Sequence, residues 1–486
     1  MKVKKEKALV ISAQLIIFTL MLYFFSAWCP LSLYDADDWK YIGYSRIPLP
    51  IWGGWNPARV LPETLMPLAG KISAVLIYPI IGDYVMAVTI TSAFICALLI
   101  TIMCGMVYLL FHYRLKESTI QAVALEGLFL ICCFMIFRNR GGSCYLFNAS
   151  SLCCTYFYTI PGILNGIVIL YMMRYKDFEK SFCTFGIGRK VIYFTLVYFS
   201  IFSNLFHSGM LALYAGINII LEVIGVCRNV EEKFDIVRLV KKRIISITIV
   251  SMWLIAVAFE LSGGRAAAVG SGQEISVVIA IRQLVALILA MNKMYMILLI
   301  LAVGYLIFVG YTFLKQRKRT NEEIVAVILL LNVVFLTIYE LALNAKIKYM
   351  SRIEASWGVW FYCILVVVFV ISRLKKEKWL PVVMGIMLII ALYPDAKFMP
   401  SNINQVSYNV CINTDNQAVV PILNAQVQKR ESITIEIPDY RGTPQAWGFG
   451  DDYGQLVADA LLKNGIIDKH ITVTTIQNIR LNDIGE

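Results

Sequence analysis

Apolar runs long enough to cross a bilayer alternate with short polar, often basic, segments along most of the chain. A crossing helix takes about 20 mostly apolar residues. On that measure the pattern predicts eleven spans, at 8–28, 84–111, 119–137, 155–173, 190–205, 208–227, 244–260, 294–314, 323–343, 355–373 and 379–393. Two further apolar stretches do not fit as crossings. The stretch 70–82 is too short, and 275–291 is interrupted by Arg282-Gln283. Counting either as a span would carry a basic loop to the wrong face. Both are therefore expected to be interfacial or re-entrant helices on the outer side. Beyond about residue 394 the pattern becomes polar. Strand-like 432–437 and 471–476 flank a helix-like 455–464. The reading is an all-α polytopic membrane domain, 1–393, with a small α/β appendage outside the membrane, 394–486.

Composition strengthens the membrane reading. Of 486 residues 59% are hydrophobic and 16% charged, and the mean hydropathy is +0.70. A soluble domain could not hide that much apolar surface. The first run is long, and Cys29-Pro30 after it offers no small-residue cleavage site, so it is expected to stay as an anchor. The net charge of +12 raises nucleic acid as a partner, but the basic residues sit in short clusters between spans. That distribution encodes orientation. With the N-terminus cytoplasmic, the inner segments hold 25 Lys and Arg and the outer loops before residue 394 hold twelve. The C-terminus then lies outside. The twelve cysteines show no metal-ligand spacing and mostly fall in apolar runs, as small core residues do.

Candidate chemistry collects on the outer face, at Asp35, Asp37, Asp38, Asn56, Arg59, Glu63, His207, Glu260, Arg265, Arg282, Lys348, Arg352 and Glu354. Charges at a membrane boundary are costly and mark cavities and function. Asp37 and Asp38 follow the first span, where a carboxylate can act as a general base or share a divalent cation such as Mg or Mn. The structural alternative is a helix cap by Asp35 or Asp37. Arg59, in Trp55-Asn56-Pro57-Ala58-Arg59, can bind phosphate bidentately, or it can snorkel to headgroups. Glu260-Leu261-Ser262-Gly263-Gly264-Arg265 is a glycine-bearing turn able to cradle phosphate, although it lacks a Walker ending. Lys346, Lys348 and Arg352 put basic charge on the outer side, against the topological bias. His207 is a hydrogen-bonding candidate or a structural histidine. Glu126, inside a span, is expected to be paired within the bundle. No zinc motif, Ser-His-Asp set or dinucleotide fingerprint is evident.

Taken in order, Asp37-Asp38-Trp39 after the first helix, Asn56-Pro57-Ala58-Arg59, Ser262-Gly263-Gly264-Arg265 and Ser351-Arg352 resemble the motifs of the GT-C glycosyltransferase superfamily. More narrowly, the chain resembles the bacterial serotype-converting O-antigen glucosyltransferases and a related multi-pass family of unknown function. The resemblance spans residues 8 to 393 and lies in the order and sidedness of short motifs. The chain departs from it where Pro57-Ala58 replaces a glycine, and where the third motif lacks its usual proline and asparagine.

The resemblance implies a hexosyltransferase of the bacterial cell (inner) membrane. It would move a sugar from a polyprenyl phosphate to a cell-surface glycan or glycolipid acceptor. Asp38 or Asp37 would take the acceptor proton. Arg59, Arg265 and Arg352 would meet the departing phosphate, with Asn56, Glu63, His207, Glu260 and Lys348 binding substrate. Outer-leaflet polysaccharide polymerases or ligases, and lipid-linked saccharide transporters, are the alternatives. A transporter usually shows repeated halves, which this chain lacks.

Overall fold

The structure is a computed structural model that describes residues 2–33, 35–44, 57–138, 144–228, 235–262, 275–315, 320–373, 382, 385–386, 408–439, 450–478 and 481. Apolar runs become helices because a backbone out of water must satisfy its own hydrogen bonds. In chain order these are α1 Lys4–Trp28, α2 Ala36–Ile42, α3 Pro62–Ile81, α4 Tyr84–Arg114, α5 Thr119–Met135, α6 Leu152–Met173, α7 Phe178–Cys183, α8 Ile187–Ile201, α9 Leu205–Arg228, α10 Ile236–Lys242, α11 Ile244–Ser262, α12 Val277–Ala290, α13 Lys293–Lys315, α14 Asn321–Ile347 and α15 Trp357–Ser372. Eight of the described helices are long and apolar enough to cross a membrane; α5, α12 and α15 are shorter apolar helices.

Local sequence sets several helix starts. Ser118 with Gln121 and Thr320 with Glu323 form capping boxes at α5 and α14, each satisfying otherwise unpaired N–H groups. Asp83 caps α4 through Met86 N–H. The core is built on α6 and α15, which are almost wholly buried. Small residues let the helices approach closely: a Cβ on Gly162 would lie 2.7 Å from the Trp357 ring, and one on Gly358 would lie 2.6 Å from Met210. Glu126 is paired within the bundle, as its sequence context suggests, by a hydrogen bond from Gln14.

The stretch at 70–82 is part of a longer helix, α3, which begins at Pro62 and continues through a widened turn at Ser73–Ile77. By length and composition it is one of the eight helices able to cross a membrane, and it packs on α4 and the C-terminal unit. Gly70 accepts from the Tyr84 hydroxyl at 3.4 Å and Ser73 meets Thr91 at 2.8 Å, so α3 touches the first two turns of α4. Lys71, in the middle of α3, reaches the C-terminal unit. Helix α12 is likewise held at that end of the bundle. Ser276 N–H donates to Ala345 O, Gln283 Nε2 donates to Lys348 O, and Asn292 N–H donates to Ile136 O. The expected span at 379–393 lies outside the described residues apart from 382 and 385–386.

The C-terminal residues form α16 Tyr408–Val427, β1 Ser432–Pro438, α17 Tyr453–Asn464 and β2 Thr472–Asn478. The two strands pair in parallel, Ser432 opposite Thr472 through Pro438 opposite Asn478. A parallel pair requires a crossover, which α17 supplies. This unit docks on α2 and α3. Trp39 Nε1 donates to the Tyr453 hydroxyl at 3.1 Å and Lys71 Nζ to Asn464 O at 3.2 Å. A Cβ on Gly43 would lie 2.9 Å from Ala460 Cα, so the two backbones nearly touch there.

Candidate functional site

The acidic segment after α1 divides its carboxylates between two jobs. Asp35 is the N-cap of α2, with its Oδ1 accepting from Asp38 N–H at 2.9 Å. Asp38 closes the capping box, its Oδ2 accepting from Asp35 N–H at 3.2 Å. The other Asp38 oxygen accepts from Cys153 N–H at the start of α6. Asp38 is fully buried and ties two helix N-termini together. The sequence expectation of Asp38 as the leading base therefore meets a carboxylate already occupied by backbone donors. Asp37, one residue earlier, points about 100° away around the helix and is half-buried. Burial pushes the Asp35 carboxyl up to about 6. The backbone N–H groups of Asp38 and Asp37 and the Ser151 hydroxyl act against that shift, and the Asp37 charge adds to it.

Tyr41 lies one turn beyond Asp37, on the same helix face. Burial raises its phenol, the nearby Arg59 acts the other way, and Cys153, Asp37 and Glu63 raise it again. Tyr41 thus sits among Asp37, Arg59 and Glu63. Its ring packs 4.7 Å from Phe157, and Arg59 Cζ lies 5.9 Å from that same ring.

Arg59 has a backbone φ of +60°, a left-handed conformation that costs a non-glycine residue about 1–2 kcal/mol. Surrounding bonds hold it there. Val60 N–H reaches Pro57 O at 3.4 Å, Glu63 N–H reaches Arg59 O at 3.2 Å, and Leu61 N–H reaches Phe202 O at 3.1 Å. The guanidinium lies 3.7 Å from the Glu260 carboxylate, with both side chains partly open. Together they line a cleft of about 710 Å³, part of it open to the surroundings. Pro57, Tyr158, Phe202, Asn204, Phe206, Ala256, Leu343, Ile347 and Tyr349 form much of its wall. Strained backbone that persists at a cleft is a recurrent mark of a working site.

Arg352 stands behind that wall, its Cζ 5.5 Å from the Tyr158 ring and 5.0 Å from Tyr349. It donates to Glu354 at 2.7 Å, to the Ser150 hydroxyl at 2.6 Å and to Cys154 Sγ at 3.1 Å. Burial opposes its charge most strongly, but Glu354, Cys154 and Tyr158 together outweigh it and hold the guanidinium above its usual value. Arg352 is therefore a brace between the α14–α15 turn and the start of α6, already paired with a carboxylate. His207 is fully buried, edge-on to Tyr158 with ring centroids 6.0 Å apart. It supports the wall and does not line the cleft. Lys348 caps α14 in a left-handed conformation, and its carbonyl holds Gln283 of α12. Glu63 lies in the first turn of α3, half-buried. Asn56 and Arg265 lie outside the described residues.

The structure thus brings Arg59 to Glu260 and to Phe157, which packs on Tyr41, with Asp37 and Glu63 within electrostatic reach of Tyr41 and Arg352 next door. Neither 70–82 nor 275–291 contributes to the described cleft wall; α11 and α14 do so instead. Sequence reasoning passed over Tyr41, Phe157, Tyr158 and Tyr349. The aromatic run Tyr156-Phe157-Tyr158 at the head of a span was the available signal. Each Asp38 oxygen accepts one backbone N–H bond, which leaves a second lone pair on each. Among the described residues no group of three or more His, Cys, Asp or Glu gathers as a metal cage.

No protein-family model, curated protein or solved structure matches the chain.

Proposed function

We propose that the chain is a membrane glycosyltransferase that moves a sugar from a polyprenyl-phosphate donor to a glycan or glycolipid acceptor at the outer face of a bacterial cell membrane. The observation that carries this reading is the Arg59–Glu260 pair in a cleft between helices, with Asp37 one turn before Tyr41 on α2 and the Tyr41 ring packed on Phe157 next to Arg59. The cleft is walled by tyrosine and phenylalanine rings on one side and by aliphatic residues of α11 and α14 on the other. Rings suit a sugar, and the aliphatic wall suits an isoprenoid tail.

In this reading Asp37 removes the acceptor hydroxyl proton as that oxygen attacks the anomeric carbon. The new carbon–oxygen bond forms while the bond from that carbon to the phosphate oxygen breaks. Its electron pair leaves on the polyprenyl phosphate. Arg59, oriented by Glu260, meets the growing phosphate charge, where preplaced cations are worth more than in water. A single displacement inverts the anomeric configuration. Asp38 and Arg352 act as positioning residues that fix α2 and the α14–α15 turn against α6. The motif order supports the same reading, as does the position of α3 and α12 at the cleft's end of the bundle.

The test is genetic and chemical together. Loss of the chain should make a polyprenyl-phosphate sugar accumulate, read by mass spectrometry of extracted lipids. Wild-type chain should clear it, and Asp37→Asn, expressed to the same level, should not. Full clearance by Asp37→Asn would overturn the assignment of the base. A deletion strain with no change in its lipid-linked sugars would overturn the proposed reaction.

A further inference from the structure

The opposite end of the bundle holds a second cleft, with no part in the chemistry above. Helices α9, α11 and α14 line both clefts with opposite ends. Glu260 and Ser246, on α11, are about 21 Å apart along the helix axis. This cleft contains about 960 Å³ of empty space. It opens where the basic loops cluster, beside Arg114, Lys176 and Arg243.

Its charges are unevenly matched. Glu179 accepts from the N–H groups of Ile245 and Ser246 and from the Ser246 hydroxyl, at 2.9 to 3.1 Å. It caps α11 and is satisfied there. Glu222 is held by Lys242 and by Arg243, the latter at 2.6 Å. Arg114 makes no ion pair within 4.0 Å among the described residues, and the nearest carboxylate influence on it is the more distant Asp177. One Nη donates to Tyr175 O at 2.7 Å, while its buried Nε has no hydrogen-bond partner. The buried Nε of Arg243 is in the same condition. Arg114, Arg243 and Tyr214 line the same cleft, so they face a common space. Arg114 is only 6% exposed, and a buried cation with an unused donor implies an absent acceptor. Phe313, Ile324, Val325 and Ile328 from α13 and α14 form an apolar side of the wall.

The geometry points to a binding site for a phosphate-bearing anion between Arg114 and Arg243, with the phosphate at Tyr214 and any attached acyl chain along α13 and α14. Guanidinium groups suit phosphate because their donors form a planar fork. A lipid headgroup and free phosphate present the same chemistry, and the experiment separates them.

The full chain is purified in nanodiscs of mixed phosphatidylglycerol and phosphatidylcholine. Tightly retained lipid is then counted by native mass spectrometry, and melting is followed with and without inorganic phosphate in a neutral-lipid disc. Wild type should retain phosphatidylglycerol about tenfold over phosphatidylcholine, a difference of about 1.4 kcal/mol. Arg114→Gln should abolish the preference. Arg243→Gln with Glu222→Gln should also abolish it, and if the single variant folds poorly that double change removes the less exposed pair together, leaving only the exposed Lys242 without its partner. Arg114→Lys should retain part of it. If wild type melts higher with inorganic phosphate and the variants do not, the site stands with free phosphate as its ligand. The same lipid preference in wild type and both Gln variants would overturn the site, as would no response to either probe.

Discussion

Adjacent aspartates with opposite fates illustrate what one residue of helix does. Asp37 and Asp38 are indistinguishable as letters, yet about 100° of rotation sends Asp38 into a buried double cap and leaves Asp37 half open. The sequence marked the pair; it could not say which member stayed accessible, because that depends on Cys153, 115 residues away. Arg59 was legible as a candidate, but its left-handed backbone was not, since nothing local calls for it. That strain separates stability from chemistry. Arg59→Gly should leave the melting temperature unchanged or slightly raised, because glycine accepts this conformation freely. Transfer should fall by about 10²–10³, the usual cost of losing a charge-stabilising donor. Melting curves and a transfer assay on the same preparation check both halves. Asp35 gives a pH test. Its carboxyl keeps a proton to about pH 6 when folded and only to about 4 when unfolded. The folded chain therefore binds the extra proton, and this contribution to stability is lost as pH rises from about 4 to about 6, by about 3 kcal/mol at most. Asparagine keeps the capping oxygen without the charge. Asp35→Asn should flatten the melting profile over that range and melt no lower than wild type at pH 7.5.

At the scale of elements, periodicity was a good guide to what forms and a poorer guide to how it lies. The strand–helix–strand unit was readable, at 432–437, 455–464 and 471–476, and it forms within two residues of those bounds. Helix α3 was seen only from residue 70 onward. Pro62 and Pro67 interrupt the apolar signal, yet Pro62 opens the helix and Pro67 stays inside it. The junction between α2 and α17 was invisible, because the contact joins segments some 400 residues apart. Gly43 is its tightest point. Gly43→Val would push against the Ala460 backbone, which cannot step aside as a side-chain tip can. The expected cost is about 1–3 kcal/mol, typical of overpacking. Hydrogen exchange should show it as faster exchange in α17 and α2, with α6 and α15 unchanged. Unaltered protection in α17 would mean that the C-terminal unit is not seated by this contact.

For the whole molecule, sidedness decides whether the pieces belong together. The cleft, α2, α3, α12 and the C-terminal unit share one end of the bundle, joined by Trp39 to Tyr453, Lys71 to Asn464 and Gln283 to Lys348. The Arg114–Arg243 cleft lies at the other end, among most of the basic loops. Charge alone was enough to propose this division, since cytoplasmic loops collect Lys and Arg. It was not enough to settle α3, which by composition could cross. If α3 crossed, Asp83 would lie on the opposite side from Asp37; if it lies along the surface, both share a side. Single cysteines answer this, introduced at Asp83, Lys429 and Lys116, all exposed, after replacement of exposed Cys183 and of Cys227 and Cys411. In intact cells a membrane-impermeant maleimide should label positions 83 and 429 and should reach 116 only after permeabilisation. Labelling of 83 together with 116 would make α3 a span and place the Arg59 loop and the start of α4 on opposite faces.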